Sequence, residues 1–373
     1  MKPLLGTLYL LGMLVPRGLG YDRSLAQHRN QVVDKTGSPW KNLETYSYNK
    51  YHPMEEIYLW MSQISKKHAE VVTQHLLGMT FENRPMYYLK VSERARRAFL
   101  GEPLLHLRVV LKTKEGLYQK CGRNQEKQGD FFKVPQLNNS TDRLWRKSRS
   151  SHNNGTCFGS DLNRNFNVSW CSIGASKNCQ DLTFCGTEPV SEPETKAVSG
   201  FVESKKEDIL CFLTIHSYGQ LILTPYGYTK NKPSNHEELV SPQHSPVVSR
   251  ETQGGPLLPF PLGQKAANAL KAKHGTNYRV GSSADILYPT SGSSRDWARD
   301  IGIPFSYTFE LRDNGTEGFL LHETQIQPTC EEAMEAVLSI LDDVYAKWLS
   351  NTATKVTSTT VLLNLLWLFT SLL

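Results

Sequence analysis

Apolar positions recur along the chain with two periods. Between residues 54 and 68 they fall at Ile57, Trp60, Met61 and Ile64, a spacing that predicts an amphipathic helix. Residues 265–273 also read as helical. Residues 71–77 and 86–91 read as strands joined by a turn at Asn83-Arg84-Pro85. Residues 209–215 form a continuous apolar run, which predicts a strand covered on both faces. Residues 305–311 alternate, with Phe305, Tyr307 and Phe309 on one side and Ser306, Thr308 and Glu310 on the other. Ser191 stands three before Glu194, and Thr329 three before Glu332. Each spacing predicts a capping box. The helices behind them carry Val198, Phe201 and Val202, and Met334, Val337, Leu341, Val344 and Trp348. Strands alternating with helices predict an α/β sheet.

Two stretches break this pattern. Residues 92–140 are basic and glycine-dotted, with one strand-like piece at 104–111. Residues 241–262 are rich in Pro, Ser and Gly and read as an inserted loop, long for the inside of a compact domain. The composition, 39% hydrophobic and 21% charged over 373 residues, suits a globular chain and excludes a wholly disordered, collagenous or multispan one. The net charge of +6 is too dilute to argue for a nucleic-acid partner.

The two ends carry targeting patterns. Residues 1–20 read as a signal peptide: a basic start, an apolar stretch from 4 to 15, then Gly18-Leu19-Gly20. Residues 351–373 read as a GPI-anchor signal. Ser350-Asn351-Thr352 supplies small residues, 353–360 a polar spacer and 361–373 a short apolar end. A tail anchor is the alternative, but this end is short for a bilayer core of about 30 Å. Together they predict export through the secretory pathway and anchoring on the extracellular face of the plasma membrane. Glycosylation sequons at Asn138, Asn139, Asn154, Asn167 and Asn314 suit that location. Of seven cysteines, Cys157, Cys171, Cys179 and Cys185 cluster without a C-x-x-C spacing, which favours two local disulfides over a zinc ribbon. Cys211 reads as a buried thiol, and Cys121 and Cys330 are left over.

Candidate chemistry gathers at strand ends, where α/β sheets build their sites. One strand ends Leu213-Thr214-Ile215-His216-Ser217-Tyr218-Gly219, and another ends Tyr307-Thr308-Phe309-Glu310. A rim imidazole suits a metal ligand and a rim carboxylate a general base. The plainer readings are a core histidine bonded to a carbonyl, and a same-face pair of Glu310 with Arg312. Asn163-Arg164 places an amide beside a guanidinium, whose planar fork recognises carboxylates. Residues 143–149 add Arg146 among further cations. Tyr288 and the run from Ser291 to Trp297 bring a phenol and Arg295. No G-x-S-x-G, H-E-x-x-H, P-loop or G-x-G-x-x-G occurs.

Taken together, TDRLWRKSRS at 141–150, DLNRNF at 161–166, HSYGQ at 216–220, the run 286–297 and TFELRD at 308–313 resemble the A/B-type zinc metallocarboxypeptidases. The resemblance covers about 46–91, 141–239 and 263–348. It implies one carboxypeptidase-like domain over 46–348, with a mixed central sheet and helices on both faces. It implies peptide C-termini as substrates, a monomer, and one zinc ion. His216 would be a zinc ligand, Glu310 the general base and Arg146 the stabiliser of the oxyanion. Asn163 and Arg164 would hold the C-terminal carboxylate, with Tyr218 and Tyr288 lining the site. Arg295 matches the floor of the specificity pocket, where an Arg would select a C-terminal Glu or Asp. The cysteine pattern resembles bridges Cys157–Cys179 and Cys171–Cys185.

One departure matters. The family's other two zinc ligands come from a His-x-x-Glu that would lie between residues 91 and 141. That stretch holds a single histidine, His106, and no His-x-x-Glu. Part of the family sheet also looks replaced over 92–140. The spacing occurs instead at His52-Pro53-Met54-Glu55, where the family has no ligand. At about 3–4 kcal/mol per ligand, two missing ligands weaken zinc binding by about 6–8 kcal/mol. The expectation is impaired catalysis by this chain; the alternative is a non-catalytic binder of peptide C-terminal carboxylates.

Overall fold

The structure is a computed structural model and describes residues 7–10, 43, 46–92, 109–113, 145–240 and 261–370. Its centre is an eight-stranded mixed sheet. The strands are β1 (Thr7–Leu10), β2 (Val72–Met79), β3 (Pro85–Ser92), β4 (Val109–Thr113), β7 (Cys211–Ser217), β8 (Leu221–Thr224), β9 (Arg279–Ser282) and β10 (Phe305–Leu311). The short strands β5 (Ser151–His152) and β6 (Cys157–Phe158) pair separately. Across the sheet the order is β2-β3-β1-β4-β7-β10-β8-β9. The central strands β4, β7 and β10 are parallel, while β8 runs against β10. The helices are α1 (Met54–Lys67), α2 (Pro193–Glu203), α3 (His236–Leu239), α4 (Leu262–His274), α5 (Ser283–Ile286), α6 (Ser294–Asp300) and α7 (Ile326–Thr370).

Alternation along β7 and β10 separates two cores. Cys211, Leu213 and Ile215 join Phe305, Tyr307, Phe309 and Leu311 on the face covered by α4 and α7. Phe212 packs on the opposite face with Trp297 of α6, Phe166, and Val198, Phe201 and Val202 of α2. A smaller cluster seats Ile57 and Met61 of α1 on β2 and β3. Both faces of β7 are therefore covered, as its unbroken apolar run requires. Disulfides join Cys157 to Cys179 and Cys171 to Cys185, with Cα separations of 6.0 and 5.8 Å. Cys330 is disulfide-bonded as well, and Cys211 is a buried free thiol.

Several expectations are corrected. Glu192, not Ser191, precedes α2, because Pro193 sets its first turn. The Ser191 hydroxyl bonds Glu192, and Glu194 accepts from the Phe81 amide. Thr329 lies inside α7, where its hydroxyl bonds the Gln325 carbonyl, and Glu332 is taken up by Arg312. Leu262 belongs to α4 and is buried, so the inserted loop stops short of it. The strand expected at 104–111 is found at Val109–Thr113, and 104–108 lie outside the described residues. The leader expected at 1–20 is not among these corrections; within it Thr7–Leu10 pairs in the sheet between β3 and β4. Nor is the anchor signal expected at 351–373, whose residues continue α7 as far as Thr370. Among the described residues no helix is long and apolar enough to cross a membrane.

Candidate active site

Parallel pairing of β7 and β10 sets His216 directly opposite Glu310. Both follow the Thr214–Thr308 pair, whose hydroxyls lie 2.6 Å apart on the same face. The His216 Nδ1 is 3.9 Å from Glu310 Oε1, and both side chains are largely buried. This is the carboxyl end of two central strands, where α/β sheets build their sites. Arg312 does not pair with Glu310. Its guanidinium is held by Glu332, Gln325 and Thr276.

The loop from 145 to 166 brings the cations. Arg146 Nε donates to Asp161 Oδ2 at 2.8 Å, and Nη2 lies 2.6 Å from the same oxygen. Burial works against the Arg146 charge. Attraction and hydrogen bonding from Asp161 outweigh it, with smaller contributions from Tyr288 and Glu310, and the pKa is raised. The field of Glu310 thus reaches Arg146, which ties the loop to the strand ends. Asp161 also accepts the Asn163 amide at 3.0 Å and opens a single 3-10 turn, Leu162–Arg164. Asn163 Oδ1 accepts from the Ser294 amide and hydroxyl, both at 3.1 Å, so its Nδ2 remains a donor. Arg164 is 3% exposed and donates from Nε to the Gly174 carbonyl and from Nη1 to the Asn163 carbonyl.

Gly292 joins this loop to the segment carrying Arg295. Its carbonyl accepts the Phe166 amide and its amide bonds the Val168 carbonyl. Its φ is +68°, and a Cβ there would stand 2.1 Å from the Arg164 carbonyl oxygen, so only glycine fits. Tyr288 and Tyr218 are exposed at the rim, Tyr218 edge-on to Phe319 with centroids 4.8 Å apart. Arg295 lies below, ion-paired with Asp296.

A zinc carboxypeptidase family model matches residues 135–336, which contain every one of these side chains. The chain belongs to the zinc carboxypeptidase family. It is 65% identical over 395 residues to carboxypeptidase O of Bos taurus, covering 100% of both chains. It is 38% identical over 319 residues to carboxypeptidase B of Rattus norvegicus, covering 80% of this chain and 72% of the relative. Among solved structures, bovine thrombin-activatable fibrinolysis inhibitor in complex with tick carboxypeptidase inhibitor aligns with a TM-score of 0.65 and 31% identity, over 80% of this chain and 99% of that one.

Family membership implies zinc. Among the described residues of this carboxypeptidase no three His, Cys, Asp or Glu side chains converge as a metal site. His216 and Glu310 supply one imidazole and one carboxylate, and residues 92–140 contain no His-x-x-Glu to add the rest. Among the described residues, His216 and Glu310 are thus the side chains of the family's metal centre that the fold brings together. His106 lies outside the described residues. His52 is no substitute: its Nδ1 bonds Glu56 and its Nε2 bonds the Ser47 carbonyl, both at 2.6 Å, while its ring stacks on Tyr46.

Sequence reasoning about this carboxypeptidase missed three acids. Asp161 anchors Arg146, and Asp296 anchors Arg295. Glu192, fully buried, accepts hydroxyl hydrogen bonds from Ser148, Ser150, Ser160 and Ser191 at 2.6–3.0 Å. Asp161, three residues before Arg164, and Asp296, next to Arg295, each lie within a family motif, which was a usable signal. Glu192 had none, because its serines come from three separate stretches of chain.

Proposed function

We propose that this chain recognises peptide C-termini and prefers those ending in Glu or Asp. The observation that supports this is Arg295: a guanidinium 3% exposed whose Nη2, ion-paired with Asp296 Oδ1 at 2.9 Å, makes no aligned hydrogen bond. A buried donor whose hydrogen bond is poorly aligned is unfavourable, and a substrate carboxylate relieves it with an aligned charge-assisted pair. Asn163 Nδ2 and Arg164 take the terminal carboxylate. Arg146 faces the scissile carbonyl and meets the negative charge that develops on its oxygen in the transition state. Glu310 accepts the proton of the attacking water, and Tyr218 and Tyr288 flank the bound residue. The test is release of single residues from peptides differing only at the last position. Release of Glu and Asp supports the reading; release of Lys or Phe instead overturns it.

A second reading rests on the incomplete ligand set. Recognition of the carboxylate needs Asn163, Arg164 and Arg295, none of which depends on the residues missing from 92–140. In this reading the chain holds acidic C-termini without cleaving them. Binding that survives a chelator and is lost in Arg164→Ala supports it; equal affinity for C-terminally amidated peptides excludes it.

Further parts of the proposal are the domain organisation and the location: a leader at 1–20, the catalytic domain at 46–348 with an insertion from 241, and a GPI signal at 351–373. They make the protein a monomer on the extracellular face of the plasma membrane. The disulfides support an oxidising compartment. Release from intact cells by a phosphatidylinositol-specific phospholipase tests the anchor, and retention on the cells refutes it.

A further inference from the structure

Arg295 and Asp296 are adjacent in α6, and neighbouring helical residues do not face each other by default. Here they meet because Arg295 folds back. Its Nε donates to Asp296 Oδ1 at 3.0 Å, and Nη2 lies 2.9 Å from the same oxygen without hydrogen-bond alignment. The other carboxylate oxygen, Oδ2, accepts the Gly227 amide at 2.8 Å, and the Asp296 amide donates to Ser293 Oγ at 3.2 Å. Asp296, fully buried, thus ties the first turn of α6 through its amide, and the loop at Gly227 and the guanidinium through its carboxylate. Gly227 leaves the remaining space: a Cβ there would stand 2.9 Å from Arg295 Nη2 and 2.5 Å from Thr290 Oγ1.

A guanidinium carries five N–H groups in a rigid fork. The Nε edge is turned to Asp296. Among the described residues no hydrogen bond engages Nη1 or Nη2. We infer that Asp296 is a positioning residue for specificity, turning the Nη1–Nη2 edge of Arg295 toward the side-chain carboxylate of the C-terminal residue. This rests on the reading of Arg295 above. It adds that selectivity for Glu comes from direction, because Asp296 cancels the net charge of Arg295.

The two sources of selectivity respond oppositely to Asp296→Asn. That change leaves the guanidinium charge uncompensated, so a pocket working by charge alone prefers Glu more strongly. Asn also cannot accept from both Gly227 and Arg295, since its amide nitrogen only donates. A pocket working by direction then prefers Glu less. The experiment measures, by calorimetry on the full chain with chelator present to prevent cleavage, the affinities of two peptides ending in Glu or Gln. We expect the Glu-to-Gln affinity ratio to fall about tenfold in Asp296→Asn, the loss of one charge-assisted contact, and to recover in part in Asp296→Glu. Affinity for the Gln peptide should stay within about threefold, which separates loss of aim from loss of fold. A ratio unchanged or raised in Asp296→Asn, but lowered in Arg295→Ala, overturns the role of Asp296 and leaves Arg295 as the selector. A ratio unchanged in Arg295→Ala overturns both.

Discussion

Arg146 and Asp161 meet across fifteen residues of chain, with two guanidinium nitrogens on a single carboxylate oxygen. Asp161 is fully buried, whereas the Arg146 side chain is 32% exposed. The acid is thus the fixed end of the pair and the cation the end open to solvent. Asp161→Ala strands Arg146 and removes the cap of the Leu162–Arg164 turn. We expect a loss of about 2 kcal/mol in stability by urea denaturation, discounted for the exposure of the Arg. Peptide binding should weaken by about tenfold or more through Asn163 and Arg164. Unchanged peptide affinity would show that the turn holds its shape without its cap.

Glu192 should prove more important to stability than its distance from the crevice suggests. Four hydroxyls converge on its carboxylate, three of them from the segments that flank Arg146 and Asp161. Glu192→Ala leaves those donors buried without acceptors, for an expected loss of about 3 kcal/mol or more. Glu192→Gln, which keeps one oxygen, should lie between the wild type and Ala. Equal urea midpoints for Gln and wild type would mean that the charge contributes nothing.

Stability should fall in mild acid. His75, stacked on Tyr88, has its pKa lowered from 6.5, by burial first and by Lys90 second. His236 is lowered as well, by burial first and then by Lys232. A histidine whose folded pKa lies below its unfolded value favours the native state while neutral. Its contribution is therefore complete above the unfolded value of 6.5 and is lost as pH falls through the lower folded pKa. Melting temperature measured from pH 7.5 downward should decline below about 6.5, and His75→Asn should decline less. A profile identical to that of the wild type would remove His75 as a contributor.

Zinc should be held weakly. With no His-x-x-Glu in 92–140, the full chain dialysed against metal-free buffer should retain well under one zinc per molecule by elemental analysis. One zinc retained per folded chain would require ligands from outside the described residues, with His106 the first to substitute.

Much of the fold was legible because burial imposes a period. The apolar run at 209–215 could only be a strand covered twice, and the alternation at 305–311 assigned Glu310 to a face by parity alone. The capping boxes failed for a local reason. A three-residue spacing does not say whether Pro193 or an earlier helix start will decide the turn, nor whether Glu332 will be drawn to Arg312 instead.

The sequence by itself determined the family and the two-faced sheet, and it named the side chains proposed to bind a carboxylate. It also showed that no His-x-x-Glu stands where the family carries one, because a motif is read directly from the order of residues. Only the tertiary structure decided which charges meet. Register set His216 against Glu310, and folding brought Asp161 to Arg146 and the Gly227 amide to Asp296. Ion pairs and hydrogen bonds depend on a few ångströms and a direction, and spacing along a chain encodes neither.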